Sequence, residues 1–345
     1  MIHMYHALSL SGSAAVDLVT GGAGFFGACL ARRLRDMGRD VRVFDIERTQ
    51  FLPDGVEFVQ ADMRDYDAVR EAVRGAEVVY HLAFVQAFSK RPESEKWQIN
   101  FSGTENFLRA AVDEGVERFV HTSTIELYSP FPPFPCPEDA PTDKPFGWYG
   151  RHKKACEELC WRYHWQHGLP LTMARLPTIC GRGYYVRIDL LRAFDWVLAN
   201  RPVLWIGGRQ YQGDFVWVDD CVDAYLLLGA KPEALGEVFN VSCSAPSTSL
   251  EIIQAILDTA GNTHKIGFVP PWIAWPGIRF AARTGILDMP EEQLQYLKGD
   301  YSFSVDKARR LLGYEPKMNA AEAMVEMVKG YIEDRASVKK RAKNY

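Results

Sequence analysis

The sequence predicts an α/β protein: a doubly wound parallel sheet with a smaller C-terminal α/β lobe. Three observations carry this. Short apolar runs alternate with helical patterns through the first half of the chain. A glycine-rich turn joins the first apolar run to the first helical pattern. After Pro177 the alternation loosens into shorter segments. Alternation of the first kind builds a parallel sheet with right-handed crossovers.

The predicted strands are 16–20, 41–45, 57–60, 78–81, 119–123 and 171–175. All are short and apolar, as strands covered on both faces must be. Helical periodicity predicts helices over 25–37, 65–73, 97–114 and 149–167. Residues 129–145 hold too many prolines for a helix or a central strand and are predicted as a loop. Beyond it, 179–214 and 244–317 form the main parts of the lobe. Residues 215–241 return to the sheet, and 320–334 close the chain as a helix.

Composition narrows the function classes. A chain of 345 residues with net charge −4 has no electrostatic case for nucleic acid as its partner. No apolar run reaches the length of a membrane span; residues 268–282 are apolar but interrupted by prolines and Arg279. No integral membrane segment is expected. Residues 1–14 lack the continuous apolar core of a signal peptide. The seven cysteines are scattered without a CxxC pair, which fits a reducing, cytoplasmic compartment. Cys156 and Cys160 stand one helical turn apart, but no second ligand pair accompanies them, so no metal is expected.

Thr20-Gly21-Gly22-Ala23-Gly24-Phe25-Phe26-Gly27 follows the first strand and opens the first helix. Gly21, Gly24 and Gly27 have the spacing GxxGxxG. The first permits a tight turn, the second a close backbone approach to a pyrophosphate, and the third tight helix–strand packing. The helix N-terminus then presents N–H groups to phosphate. Asp45 ends the second strand, where a carboxylate can hold the adenosine ribose hydroxyls and would repel a 2′-phosphate. NAD is therefore the expected cofactor, with Arg48 nearby as the one feature favouring NADP. Asp62 and Met63 follow the third strand and can meet the adenine; Asp62 can equally cap the helix over 65–73.

Tyr149 and Lys153 share one face of a helix at spacing i, i+4. A free tyrosine, with a pKa of about 10, is a poor base at neutral pH. A neighbouring ammonium favours its phenolate, which can then accept a hydroxyl proton as hydride leaves. Lys153 can also reach the nicotinamide ribose. The fifth strand ends in Thr122-Ser123-Thr124-Ile125-Glu126, and ligands sit at strand carboxyl ends in such sheets. A hydroxyl there can orient the substrate oxygen. Thr124 is the first candidate and Ser123 the second.

Together these residues resemble the extended short-chain dehydrogenase/reductase family, the NAD-dependent epimerase/dehydratase group. The likeness runs from Val16 to about Tyr331. Its further marks are His81-Leu82-Ala83, Asn100 with Gly103-Thr104, and Phe215-Val216-Trp217-Val218-Asp219-Asp220. The resemblance implies a Rossmann domain, NAD as cofactor, and Thr124, Tyr149 and Lys153 as the catalytic set. It also implies that Ala83 and Phe84 line the cofactor and that Asn100 shapes the site. Phe25, Phe26, Leu82, Thr122, Leu176 and Thr178 are expected among the cofactor contacts. Phe84, Gln86, Glu126, Thr178, Tyr185 and Arg209 are expected to face the substrate. A homodimer through 97–114 and 149–167 is implied as well. The domains expected are 15–178 with 215–243 for NAD, 179–214 with 244–335 for substrate, and flexible ends at 1–14 and 336–345.

Departures from the family pattern bear on the substrate. Nucleotide-sugar epimerases usually carry an Asn after the sixth strand, where this chain has Thr178. They also place a diphosphate-clamping Arg where this chain has Gly213; Arg209 or Arg182 could substitute, but neither fits the pattern. Dehydratases read Thr-Asp-Glu at the strand end, and this chain reads Thr124-Ile125-Glu126, so the acid is missing while Glu126 remains. The strand-end block resembles the 3β-hydroxysteroid dehydrogenase/isomerase branch. So do Tyr301-Ser302-Phe303-Ser304-Val305-Asp306 and Val269-Pro270-Pro271-Trp272. Aromatic segments stand at 84–88, 131–134, 184–185 and 272–275. The expected function is an NAD-dependent oxidoreductase acting on a secondary alcohol or ketone of a fairly apolar, sterol- or terpenoid-like small molecule. The alternatives are a nucleotide-sugar epimerase, dehydratase or decarboxylase with tightly bound NAD, and a catalytically idle NAD-sensing scaffold.

Overall fold

The computed structural model describes residues 16–128, 134–183, 188–206, 208–284 and 299–342. The first half alternates strand and helix: β1 Val16–Thr20, α1 Phe25–Asp36, β2 Asp40–Asp45, β3 Glu57–Gln60, α2 Tyr66–Val73, β4 Ala76–His81, α3 Glu93–Trp97, α4 Gly103–Glu114, β5 Arg118–Thr124, α5 Gly147–His167 and β6 Leu171–Leu176. A π-helical turn, Gln98–Ser102, joins α3 to α4, so the helix predicted over 97–114 begins earlier and is interrupted. Then follow β7 Thr178–Cys180, α6 Ile188–Leu198, β8 Leu204–Ile206, β9 Gln212–Gly213, β10 Phe215–Trp217, α7 Val218–Ala230 and β11 Glu237–Asn240. Last come β12 Ser247–Thr248, α8 Ser249–Ala260, β13 Gly267–Val269, α9 Pro271–Arg283, α10 Asp306–Leu312 and α11 Ala320–Ala342.

Seven parallel strands form the main sheet in the order β11-β6-β5-β4-β1-β2-β3. From β1 the chain first winds out through β2 and β3, then back through β4, β5 and β6. The reversal leaves a crevice at the carboxyl ends of β1 and β4, where ligands bind in such sheets. Side chains alternate faces along each strand. Val19, Val43 and Tyr80 therefore pack with Leu30 and Leu34 of α1 and with Tyr225 and Leu228 of α7. On the other face Leu18, Phe44 and Phe119 pack with Val69, Phe107, Leu108 and Leu159 from α2, α4 and α5. Both faces are covered, which explains why β4 and β6 are buried at every residue.

Two expectations need correction. The segment 215–241 returns to the main sheet only through β11, which pairs with β6; β10 pairs with β7 in a separate two-stranded sheet. The Pro177 bend turns β7 away from the main sheet. The last helix continues past Asp334 to Ala342, so residues 336–342 are helical rather than a loose end. Its buried Ala323, Met324, Met327, Val328 and Tyr331 anchor it against Phe194 and Ile252. Residues 1–14 lie outside those described.

Several charged groups inside the fold are paired. Arg175 on β6 donates Nε to Glu157 Oε1 at 2.9 Å and Nη2 to Glu157 Oε2 at 2.8 Å. Its Nη1 donates to Tyr128 Oη at 2.8 Å and to the Glu138 carbonyl at 2.9 Å. This ties α5 and the end of the proline-rich loop to the sheet. Breaking a buried pair leaves an uncompensated charge, at a cost of about 3–5 kcal/mol. Glu157→Ala should lower the free energy of unfolding by about that much, read by urea denaturation. A loss under about 1 kcal/mol would show that Arg175 is satisfied without Glu157.

Candidate active site

The crevice holds two cavities, of about 380 and 310 Å³, that share Gly21, Gly24, Leu82, Phe84 and Gln86 in their walls. They form one cleft. The first extends past Phe25, Phe26 and Gly27 to Thr122, Ser123, Thr124, Glu126, Tyr149, Lys153, Leu176 and Thr178. The second extends to Asp45, Asp62, Met63 and Ala83.

The glycine turn is shaped by close approach. Gly21 has φ +67°, and a Cβ there would come within 2.9 Å of the Ala83 backbone. A Cβ on Gly27 would lie 2.4 Å from the Gly21 carbonyl oxygen. No side chain caps α1, so its N-terminus is left to an anion from the cleft. Asp45 accepts from Ala23 N at 3.0 Å and Ile46 N at 2.7 Å. Those bonds aim its carboxylate into the second cavity, while burial raises its pKa. Asp62 pairs with Arg64, which holds its carboxyl below the usual range. The helix cap is Asp65 instead, accepting from Ala68 N at 3.2 Å. Arg48 lies over the Phe58 ring at 5.0 Å and is not part of either cavity wall. An uncapped helix N-terminus beside a carboxylate at the end of β2 fits NAD.

Thr20 fixes the loop after β4. Its Oγ1 accepts from Leu82 N and Ala83 N, each at 3.1 Å. Its own O–H then donates to His81 Nδ1 at 3.0 Å, and His81 Nε2–H donates to Thr104 Oγ1 at 3.1 Å. Burial keeps His81 neutral, pushing its pKa down to about 3.

Lys153 is 2% exposed and donates to the Thr122 carbonyl at 2.6 Å. The Phe84 ring covers its ammonium at 3.6 Å, and Tyr149 packs edge-on against Phe84 with centroids 5.5 Å apart. Burial pushes Lys153 down from 10.5 to about 8, so it remains largely charged at neutral pH. Thr122 Oγ1 is held by Tyr225 Oη at 2.6 Å. Thr124 Oγ1 accepts from Glu126 N at 3.3 Å, which leaves its O–H to donate into the cavity. Ser123 Oγ is buried without a hydrogen-bond partner among the described residues.

Some expected contacts are elsewhere. Asn100 is fully buried behind the loop rather than at the cavity wall, bonded to Val85 N at 2.7 Å. Arg209 is exposed over the Phe268 ring at 4.1 Å, and Arg182 pairs with Glu326 and Glu333. Neither reaches the cleft because each already has a partner on the lobe. Trp272, 79% exposed, is also not in the wall. Tyr185 lies outside the described residues. Tyr301 lines the cavity unforeseen. Its N–H donates to the Gln212 carbonyl at 2.8 Å, and Cys136 N donates to the Ser302 carbonyl at 2.9 Å. Only its place in a family-like segment hinted at it.

The depressed Lys153 pKa is a stability penalty. It applies in full below about 8 and fades as pH rises toward 10.5. Lys153→Met should therefore raise the melting temperature near neutral pH, by roughly 1–2 kcal/mol in stability after the lost bond to Thr122 is subtracted. The gain should shrink in alkali. A lower melting temperature at neutral pH would contradict it.

Residues 18–242 match the NAD-dependent epimerase/dehydratase family. The chain is 28% identical to the 3 beta-hydroxysteroid dehydrogenase/Delta 5-->4-isomerase of Mycobacterium tuberculosis, over 91% of this chain and 90% of that protein. Among solved structures it is similar to an epimerase of Methanothermobacter thermautotrophicus, with TM-score 0.80, 23% identity, and coverage of 98% and 97% of the two chains. It is also similar to the UDP-glucose 4-epimerase of Thermus thermophilus in complex with NAD, with TM-score 0.72, 25% identity, and coverage of 92% and 99%. The chain belongs to the NAD-dependent epimerase/dehydratase family.

Proposed function

We propose that this chain is an NAD-dependent oxidoreductase moving a hydride between NAD and a secondary alcohol or ketone of a fairly apolar, sterol- or terpenoid-like substrate. One observation carries the reading. Among the described residues lining the cavity beside Tyr149, Lys153 is the sole cation, and it is already bonded to Thr122. Ala87, Phe88, Ile125, Pro177, Ile179 and Tyr301 complete that wall. A second diphosphate, on the substrate and away from the α1 N-terminus, is best met by a fixed bidentate arginine, and none of the described residues lining the cavity beside Tyr149 is one. The hydroxysteroid dehydrogenase relative points the same way.

NAD, when bound, accepts or returns the hydride. The α1 N-terminus holds its pyrophosphate, and Asp45 holds its adenosine ribose. Thr124 donates its O–H to the substrate oxygen. The Tyr149 phenolate takes the hydroxyl proton in oxidation, and the phenol returns one in reduction. Lys153 favours the phenolate by its charge. Residues 15–178 with 215–243 hold the cofactor, and 179–214 with 244–335 face the substrate. A homodimer is supported by the exposed Trp97 and Trp165 near α4 and on α5, and a reducing, cytoplasmic setting by seven free thiols.

A second reading, nucleotide-sugar epimerase, dehydratase or decarboxylase, is favoured by Glu126 in the same wall. NADH formation with hydroxysteroids and terpenoid alcohols, set against product analysis with nucleotide sugars, whose conversion releases no net NADH, separates the two. The expected outcome is turnover of the apolar alcohols, reduced about 10²–10⁴-fold in Tyr149→Phe. Turnover of nucleotide sugars alone, with NAD co-purifying, would support the second reading.

A further inference from the structure

The loop over Lys153 is held from behind by a side chain that no part of the proposed chemistry uses. Val85 N–H donates to Asn100 Oδ1 at 2.7 Å. An N–H can only donate, so this bond settles the orientation of the amide. Asn100 Nδ2, a donor, must then face His152 Nδ1, 3.3 Å away. His152 Nδ1 must therefore be a bare lone pair, and the ring the neutral Nε2–H tautomer. One turn on, Cys156 Sγ lies 3.6 Å from the Asn100 carbonyl oxygen, so α5 grips Asn100 twice. The grip falls at the π-helical turn Gln98–Ser102, a distortion common at functional sites.

We infer that His152 is a positioning residue. In its neutral form it holds the loop carrying Phe84 against α5 through Asn100 and Val85, and its protonation releases that loop. The inference rests on the NAD reading above. An imidazolium would set N–H against N–H, and Asn100 cannot turn over without abandoning Val85. Phe84 sits next to Val85 and covers both Lys153 and Tyr149.

The surroundings agree. His152 is 2% exposed, between the rings of Trp97 and Trp148 at 5.0 and 5.2 Å. The charged groups facing it are Glu93 and Lys96 on α3 and Arg151 on its own helix. Glu93 pairs with Arg151 at 3.3 Å, and Lys96 lies over the Trp148 ring at 4.1 Å. Burial, with Arg151 and Lys96, lowers the His152 pKa below 6.5 against the opposing pull of Glu93. The loop is therefore held in full above about 6.5 and released as pH falls through the lowered value.

The test is NAD affinity, read by quenching of tryptophan fluorescence between pH of about 8 and about 5, for the wild type, His152→Asn and His152→Phe. Asn places an acceptor near the Nδ1 position and does not titrate; Phe fills the space without an acceptor. The wild type should lose affinity roughly tenfold in acid. His152→Asn should bind without that acid loss. His152→Phe should bind roughly tenfold more weakly at every pH, with faster exchange of the Val85 amide proton and an unchanged circular dichroism spectrum. A flat wild-type profile, an acid loss as large in His152→Asn as in the wild type, or wild-type affinity in His152→Phe overturns the role of His152 while leaving the NAD reading intact; a smaller loss common to both proteins belongs to Asp45, whose pKa is raised by burial. Failure of the wild type to bind NAD at about pH 8 overturns both.

Discussion

The ammonium of Lys153, buried at 2% exposure, donates to the Thr122 carbonyl at 2.6 Å. This contact joins α5 to the end of β5 and sets where Tyr149 stands. A buried ammonium costs free energy unless it is bonded. Here one carbonyl and the face of Phe84 meet it. Its pKa near 8 measures how incompletely they offset burial. The fold thus holds a charge that does not stabilise it, which is common where a site is built for chemistry.

That arrangement needs a rigid loop above it, and polar groups supply the rigidity. Thr20 holds the loop from below at Leu82 and Ala83, and Asn100 holds it from behind at Val85. Both anchors end in histidines whose bonds require the neutral ring, His81 and His152. His81 is sealed and stays neutral far into acid. His152 is shifted less and lies beside Glu93, Lys96 and Arg151. Two superficially equal anchors therefore differ in their response to pH.

The cleft's two ends differ in character. Around Asp45 the wall offers a carboxylate and the helix N-terminus, as a dinucleotide requires. Around Tyr149 it offers hydroxyls, aromatic rings and no arginine among the described residues. The two arginines considered as substitutes for a clamp are spent elsewhere, Arg182 on two glutamates and Arg209 on an aromatic ring. Specificity on this scaffold depends on such local pairings, because the sheet beneath is common to many activities.

Strand and helix periods are local, and so the sequence alone determined the six strands of the first half to within two residues at each end. The glycine spacing and the i, i+4 pair are local too, which made Gly21, Gly24, Gly27, Tyr149 and Lys153 legible as neighbours of one cleft. The tertiary structure alone decided the rest. β10 leaves the main sheet because β7 turns away at Pro177. Tyr301 enters the cavity wall because distant backbone groups at Gln212 and Cys136 hold its segment there. Asn100 becomes a strut and not a contact because a π-helical turn draws it behind the loop. His152 acquires its tautomer from a hydrogen bond fifty-two residues away in the chain. Each of these depends on a partner remote in sequence, and no local pattern encodes the identity of such a partner.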